Sequence, residues 1–129
     1  MKISIRTATL GFATMIVASC TPPPQSSQPA FLRLVEGRTA GAPQACVRHS
    51  MGEAMVAADS GTLVFTSGAT VYVNHLGLSC PNIGPLNTLI VEPSSDQYCR
   101  GDRVRGLDPL ASIPGPACLL RDWVPYRKG

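Results

Sequence analysis

Thr62-Leu63-Val64-Phe65-Thr66, followed by Ser67-Gly68-Ala69-Thr70 and then Val71-Tyr72-Val73-Asn74-His75-Leu76, is the stretch that decides the fold. Its two outer runs are rich in β-branched and aromatic residues, which suit a pleated, half-buried surface. Between them Ser-Gly signals a turn, because glycine reaches positive φ without a steric penalty. Together they predict a β-hairpin. Side chains alternate along a strand, so Val71, Val73 and His75 fall on one face of the second strand and Tyr72, Asn74 and Leu76 on the other.

Working outward, Leu89-Ile90-Val91 reads as a third strand between Pro85 and Pro93. A fourth is expected around Arg103–Leu107, within the longer run Tyr98–Leu107. A fifth spans Cys118–Val124, with Trp123 as a core or rim aromatic. Ala54–Ala58 can be a strand or a helical turn. Ser50 with Glu53 fits a capping box, but Gly52 disfavours a helix there, and strand is the preferred reading. No segment carries a helical stripe of any length. Twelve glycines and twelve prolines punctuate the chain, which favours short elements and irregular connections. The prediction is a mainly β domain, a small antiparallel sheet or a partly closed barrel, cross-linked by two disulfides.

The start of the chain carries an address. Lys2 and Arg6 make a positive first segment, and Thr7–Val17 is uncharged and mostly apolar. That run is far shorter than the roughly 20 residues that span a bilayer, so it reads as the apolar core of an export signal. It ends in Val17-Ala18-Ser19-Cys20, which resembles the bacterial lipobox: aliphatic, small, small, cysteine. Small residues let an extended chain enter the signal peptidase. The Cys20 thiol is the group there that can accept a diacylglyceryl chain through a thioether. The resemblance implies cleavage before Cys20 and acylation of its new amine. An ordinary signal peptide, leaving Cys20 as a free thiol, is the alternative.

Thr21-Pro22-Pro23-Pro24-Gln25-Ser26-Ser27-Gln28-Pro29 has the composition of a tether, with prolines for extension and polar residues for solvation. The expected organisation is therefore a lipoprotein signal peptide over 1–19, a lipidated cysteine and tether over 20–43, and a small β domain over 44–129. No aspartate follows Cys20. By resemblance to the sorting rule of Gram-negative lipoproteins, this favours the outer membrane, facing the periplasm.

Of the five cysteines, setting Cys20 aside leaves Cys46, Cys80, Cys99 and Cys118. Four cysteines in an oxidising compartment suggest two disulfides, with three connectivities open. Cys80–Cys99 with Cys46–Cys118 is the expected pairing, since it closes one turn-rich loop and joins the start of the domain to its end. Cys46–Cys80 with Cys99–Cys118 is the main rival. Neither a Cys-x-x-Cys spacing nor a paired histidine points to zinc or to a thioredoxin-like redox site.

The formal charge of +3 falls to +1 once Lys2 and Arg6 leave with the signal. That balance, without a basic stripe, argues against nucleic acid as a partner. Arg100, Arg103 and Arg105 alternate with Asp102 and precede Asp108, which reads as a solvated strand face or, alternatively, an anionic contact site. Arg100-Gly101-Asp102 spells a tripeptide read by integrins, but its place after Cys99 predicts a tight turn with Asp102 bonding nearby backbone. His49 and His75 are isolated, and no Gly-x-Ser-x-Gly elbow or phosphate-binding glycine loop occurs. No catalytic, cofactor-binding or metal-ligating residue is therefore nominated, and the only non-protein group expected is the lipid on Cys20.

The series Cys46-Val47, Asp59, Thr62–Phe65, Val71–Asn74 with Leu76, Cys80-Pro81, Cys99–Asp102 and Cys118-Leu119 resembles an uncharacterised family of small exported four-cysteine proteins of proteobacteria. The resemblance covers about Cys46 to Tyr126 and implies architecture without an activity. A second likeness is to periplasmic lysozyme inhibitors, small β-barrel lipoproteins whose Ser-Gly loop and following tyrosine enter the lysozyme cleft. Ser67, Gly68 and Tyr72 are the matching positions and make a candidate partner loop. Here the tyrosine lies one position late, and the lysine-glycine loop of those inhibitors has no counterpart. The functional expectation is a membrane-anchored envelope lipoprotein, non-enzymatic, acting as a binding, scaffolding or assembly-accessory module with an envelope protein as candidate partner. Inhibition of a cell-wall hydrolase is the alternative, and a small enzyme the lesser one.

Overall fold

The computed structural model describes residues 18–20 and 29–129. The basic start, the apolar run and most of the Pro/Ser/Gln stretch lie outside the described residues. A one-turn helix α1 (Phe31–Leu34) is followed by ten strands: β1 (Arg38–Ala40), β2 (Cys46–Arg48), β3 (Met55–Asp59), β4 (Thr62–Ser67), β5 (Thr70–His75), β6 (Thr88–Glu92), β7 (Gln97–Cys99), β8 (Arg103–Leu107), β9 (Cys118–Leu119) and β10 (Trp123–Lys128). They form three antiparallel sheets, ordered β1-β10-β5-β4-β3, β2-β7 and β6-β8-β9. The mainly β prediction holds, and of its two forms the structure shows open sheets and not a closed barrel.

The β4–β5 hairpin is the centre of the molecule. Ser67 pairs with Thr70 across a two-residue turn, and Gly68 at its first position has φ +57°, the arrangement of a type II′ turn matched to strand twist. Both faces of the hairpin are covered. Leu63 and Phe65 point into a main core with Val47, Ile83, Val104 and Trp123, while Val64, Val71 and Val73 point into a second core. Phe31 and Val35, on and just after α1, close that second core. Double coverage explains why Thr62 through Phe65 are all buried, where a one-faced strand would alternate.

This second layer corrects the domain boundary. The stretch expected to be tether as far as residue 43 includes α1 and β1, and β1 pairs with β10 from Arg38↔Lys128 to Ala40↔Tyr126. A four-residue helix and a three-residue strand are too short to display a periodicity. All strands and both disulfides fall within residues 31–128.

The expected fifth strand is divided. Cys118–Leu119 pairs with β8, the chain crosses between sheets at Leu120–Asp122, and Trp123–Lys128 enters the large sheet. Pro125 sits inside β10, past the point where the sequence reading stopped. Gln44 and Trp123 exchange backbone hydrogen bonds at 2.8 Å each, and Gly41 donates to the Pro125 carbonyl at 2.7 Å. Alternate residues point their backbone groups to the same side, so the nitrogen of Pro125 faces the β1 side. There it faces Gly41, just past the end of β1, so the missing N–H leaves one bond of that pair unmade and spares the ladder with β5. Buried Asn74 reinforces this crossing, donating to the Arg121 carbonyl at 2.7 Å and accepting from the Arg121 N–H at 3.0 Å.

Trp123 is fully buried and donates through Nε1 to the Tyr98 carbonyl at 3.0 Å. Phe65 meets the rings of Tyr98 and Trp123 edge-on, at 5.5 and 6.3 Å between centroids. Such pairs contribute about 0.5–1.5 kcal/mol each beyond their buried area. They join the large sheet to β2–β7.

The disulfides are Cys46–Cys99 and Cys80–Cys118, which is neither the expected pairing nor its rival. Cys46 lies directly opposite Cys99 in the β2–β7 ladder, with Cα atoms 4.0 Å apart. The bond from Arg100 N–H to the Ala45 carbonyl marks this as a non-hydrogen-bonded pair, where side chains approach closest. Loop length guided the sequence expectation, whereas strand register decides the outcome.

Candidate functional site

Ser67 and Gly68 form the hairpin turn, but Tyr72 does not join them. The Ser67 hydroxyl donates to Glu53 Oε1 at 2.8 Å, and Glu53 Oε2 accepts the Ser50 N–H at 2.8 Å. Half of the expected capping box is thus present without its helix, since Gly52 turns the chain at φ +91° into β3. Tyr72 is half-buried against the main core and stacks on Phe65 at 6.4 Å. The proposed partner loop is therefore a turn whose serine is held internally and whose tyrosine faces the core.

Arg100-Gly101-Asp102 is a tight turn as read. Gly101 has φ +93°, and the Asp102 N–H returns to the Cys99 carbonyl at 3.0 Å, which suits a type II turn with glycine at its third position. The Asp102 carboxylate is buried. It accepts from the Cys99 N–H at 2.7 Å, the Ser94 N–H at 3.2 Å and the Ser94 hydroxyl at 2.8 Å. Arg100 pairs with Asp122 at 2.9 Å on the surface, and Arg105 with Glu92 at 3.4 Å across β8–β6. Exposed pairs of this kind contribute under about 1 kcal/mol.

The two histidines are far apart in role. His75 is exposed, meets Phe31 edge-on at 4.9 Å and lies 3.5 Å from the buried Thr62 hydroxyl, its cross-strand neighbour. His49 stacks on Tyr98 at 4.3 Å, and its Nε2 has no hydrogen-bond partner. Among the described residues no three of His, Cys, Asp and Glu converge where one ion could be held. Cys20, the expected lipid site, is exposed and unpaired. No described helix is long and apolar enough to cross a membrane.

Among the described residues, two surface recesses stand out. One is a groove of about 550 Å³ walled by Leu76, Leu78, Leu119 and Leu120, with Arg100 and Arg121 at its margin. Leu78 and Leu119 are well exposed there. Apolar walls with a cationic margin suit non-covalent contact with a partner. The other recess, about 380 Å³, is lined by Arg38, Ala69, Thr70, Arg127 and Lys128. Sequence reading missed this cluster because pairing of β1 with β10 assembles it from opposite ends of the domain. Its only local signal is the adjacent Arg127-Lys128 pair. No protein-family description, curated protein or solved structure matches the chain, so both likenesses rest on the residues quoted for them.

Proposed function

We propose that this protein is an envelope lipoprotein, held by a lipid on Cys20 and facing the periplasm from the outer membrane, whose β domain acts as a non-enzymatic binding module. The observation that carries this reading is the division of the cysteines. Four are joined in pairs inside the fold, and Cys20 is left unpaired and exposed ahead of it. Two disulfides fit an oxidising compartment, which is where the basic and apolar start of the chain would send it. An acylated Cys20 then supplies attachment without a membrane-spanning helix. Each buried CH₂ contributes about 0.8 kcal/mol, and two or more chains hold stably. The binding role is supported by the groove along Leu76, Leu78 and Leu119.

Metabolic labelling with an alkyne-bearing fatty acid tests the anchor. The native chain is expected to take up label that resists neutral hydroxylamine, as glycerol-ester- and amide-linked acyl chains do and thioesters do not, and Cys20→Ser to take up none. An unlabelled native chain, or a Cys20→Ser chain labelled equally, contradicts it.

A further inference from the structure

We infer that the recess framed by Arg38, Arg127 and Lys128 is a docking surface for anionic phospholipid headgroups, a reading that rests on Cys20 being the membrane anchor. Arg38 and Lys128 stand directly opposite each other in the β1–β10 ladder. Like charges at directly opposed positions destabilise a sheet, and an anion bound between them relieves that repulsion. Arg127 and Thr70 also line the recess and no carboxylate does; strand alternation turns the Arg127 side chain to the opposite face, so Arg38 and Lys128 carry the charge on this one. Among the described residues the ion pairs are Arg100–Asp122 and Arg105–Glu92, so none of the three cations is neutralised by a salt bridge. Arg38 is held in place by donating to the Ala69 carbonyl at the hairpin turn, which leaves its other N–H groups for a ligand. Phosphate oxygens are what a guanidinium fork and an ammonium recognise together.

Position selects the lipid source over free phosphate. Tyr126 packs into the second core, under α1, and side chains two residues apart share a face. Lys128 and its partner Arg38 therefore lie on the face of the sheet where the chain arrives from Cys20. Nine peptide links join Cys20 to Pro29, a reach of at most about 33 Å. A lipid on Cys20 would hold this face close to a phospholipid surface, where local headgroup concentration is high and each basic residue strengthens attachment about fivefold. The recess then orients the domain on the membrane surface.

The test uses residues 20–129 with Cys20→Ser, which retain every strand and both disulfides and carry no lipid. Sedimentation is measured with vesicles of phosphatidylcholine alone and with vesicles containing phosphatidylglycerol, at low salt. Binding to the anionic vesicles only is expected. Arg38→Gln and Lys128→Gln together should weaken it by about thirtyfold, while Arg103→Gln, on an exposed strand position outside the recess, should leave it unchanged. Equal sedimentation with both vesicles, with neither, or unaltered by the double substitution overturns the proposal. So does loss of vesicle binding to millimolar inorganic phosphate at constant ionic strength, which would assign the recess to a small free anion. None of these outcomes touches the fatty-acid labelling of Cys20, so failure of the surface and failure of the anchor are distinguishable.

Discussion

Gly106→Ala is expected to destabilise the domain by about 3 kcal/mol or more, because the new methyl group would occupy the backbone of another segment. A Cβ at Gly106 would lie 1.5 Å from the Asn82 carbonyl oxygen, 2.1 Å from its carbon and 2.7 Å from the Ile83 nitrogen. Overlap with a flexible side-chain tip relaxes cheaply, but here the obstacle is main chain fixed on both sides. Cys80 is bonded to Cys118, Ile83 is buried in the main core, and Asn82 itself holds φ +60°. Gly115 closes in on the same segment, lying against Pro81 and Asn82 and donating to the Gly106 carbonyl at 2.9 Å. Gly84→Ala is the matched control. Its nearest neighbour would be 3.7 Å away, an ordinary contact, and its effect should stay within about 0.5 kcal/mol. Urea unfolding with disulfides intact checks both, and a Gly106→Ala midpoint equal to the native one would contradict the packing described.

Removing either disulfide should have an effect of similar size. Cys46–Cys99 and Cys80–Cys118 close 53 and 38 residues, for which the chain-entropy model gives about 4 kcal/mol each. For a domain whose folded part is close to 100 residues, that is a large share of the roughly 5–15 kcal/mol available. Cys46→Ser/Cys99→Ser and Cys80→Ser/Cys118→Ser are each expected to lower stability by about that amount in denaturant unfolding. Cleavage before aspartate in the unreduced protein separates all four cysteines, because Asp59, Asp96, Asp102 and Asp108 lie between them and Asp122 lies just beyond Cys118. The fragment ending at Ala58 should remain joined to 96–101, and 59–95 to 108–121. Fragment 59–95 joined to 96–101, or to the Cys46 fragment, would contradict the observed register.

The contrast between hairpin and disulfides shows what sequence could and could not display. The β4–β5 hairpin was legible because six-residue strands with a Ser-Gly turn carry their own alternation and turn chemistry. The strand cores of β6 and β8 were legible for the same local reason. By contrast, β2 and β7 are three residues each, too short for any period. Yet their pairing places Cys46 against Cys99, and missing it meant ranking disulfides by loop length. Pro125 shows a second limit of local reading. Proline within a run argues against a central strand, and only the three-dimensional end of β1 removes the objection. The site followed the same division. The Arg100-Gly101-Asp102 turn was readable from adjacent residues, whereas the recess of Arg38, Arg127 and Lys128 exists only after β1 meets β10.

Intact mass spectrometry of the protein taken from its native envelope, before and after reduction, tests the anchored, cross-linked reading most directly. The expected mass is that of residues 20–129 plus acyl chains, rising on reduction by two hydrogens for each of the two disulfides. An unacylated mass, a chain that still carries residues 1–19, or a mass unchanged by reduction would contradict it.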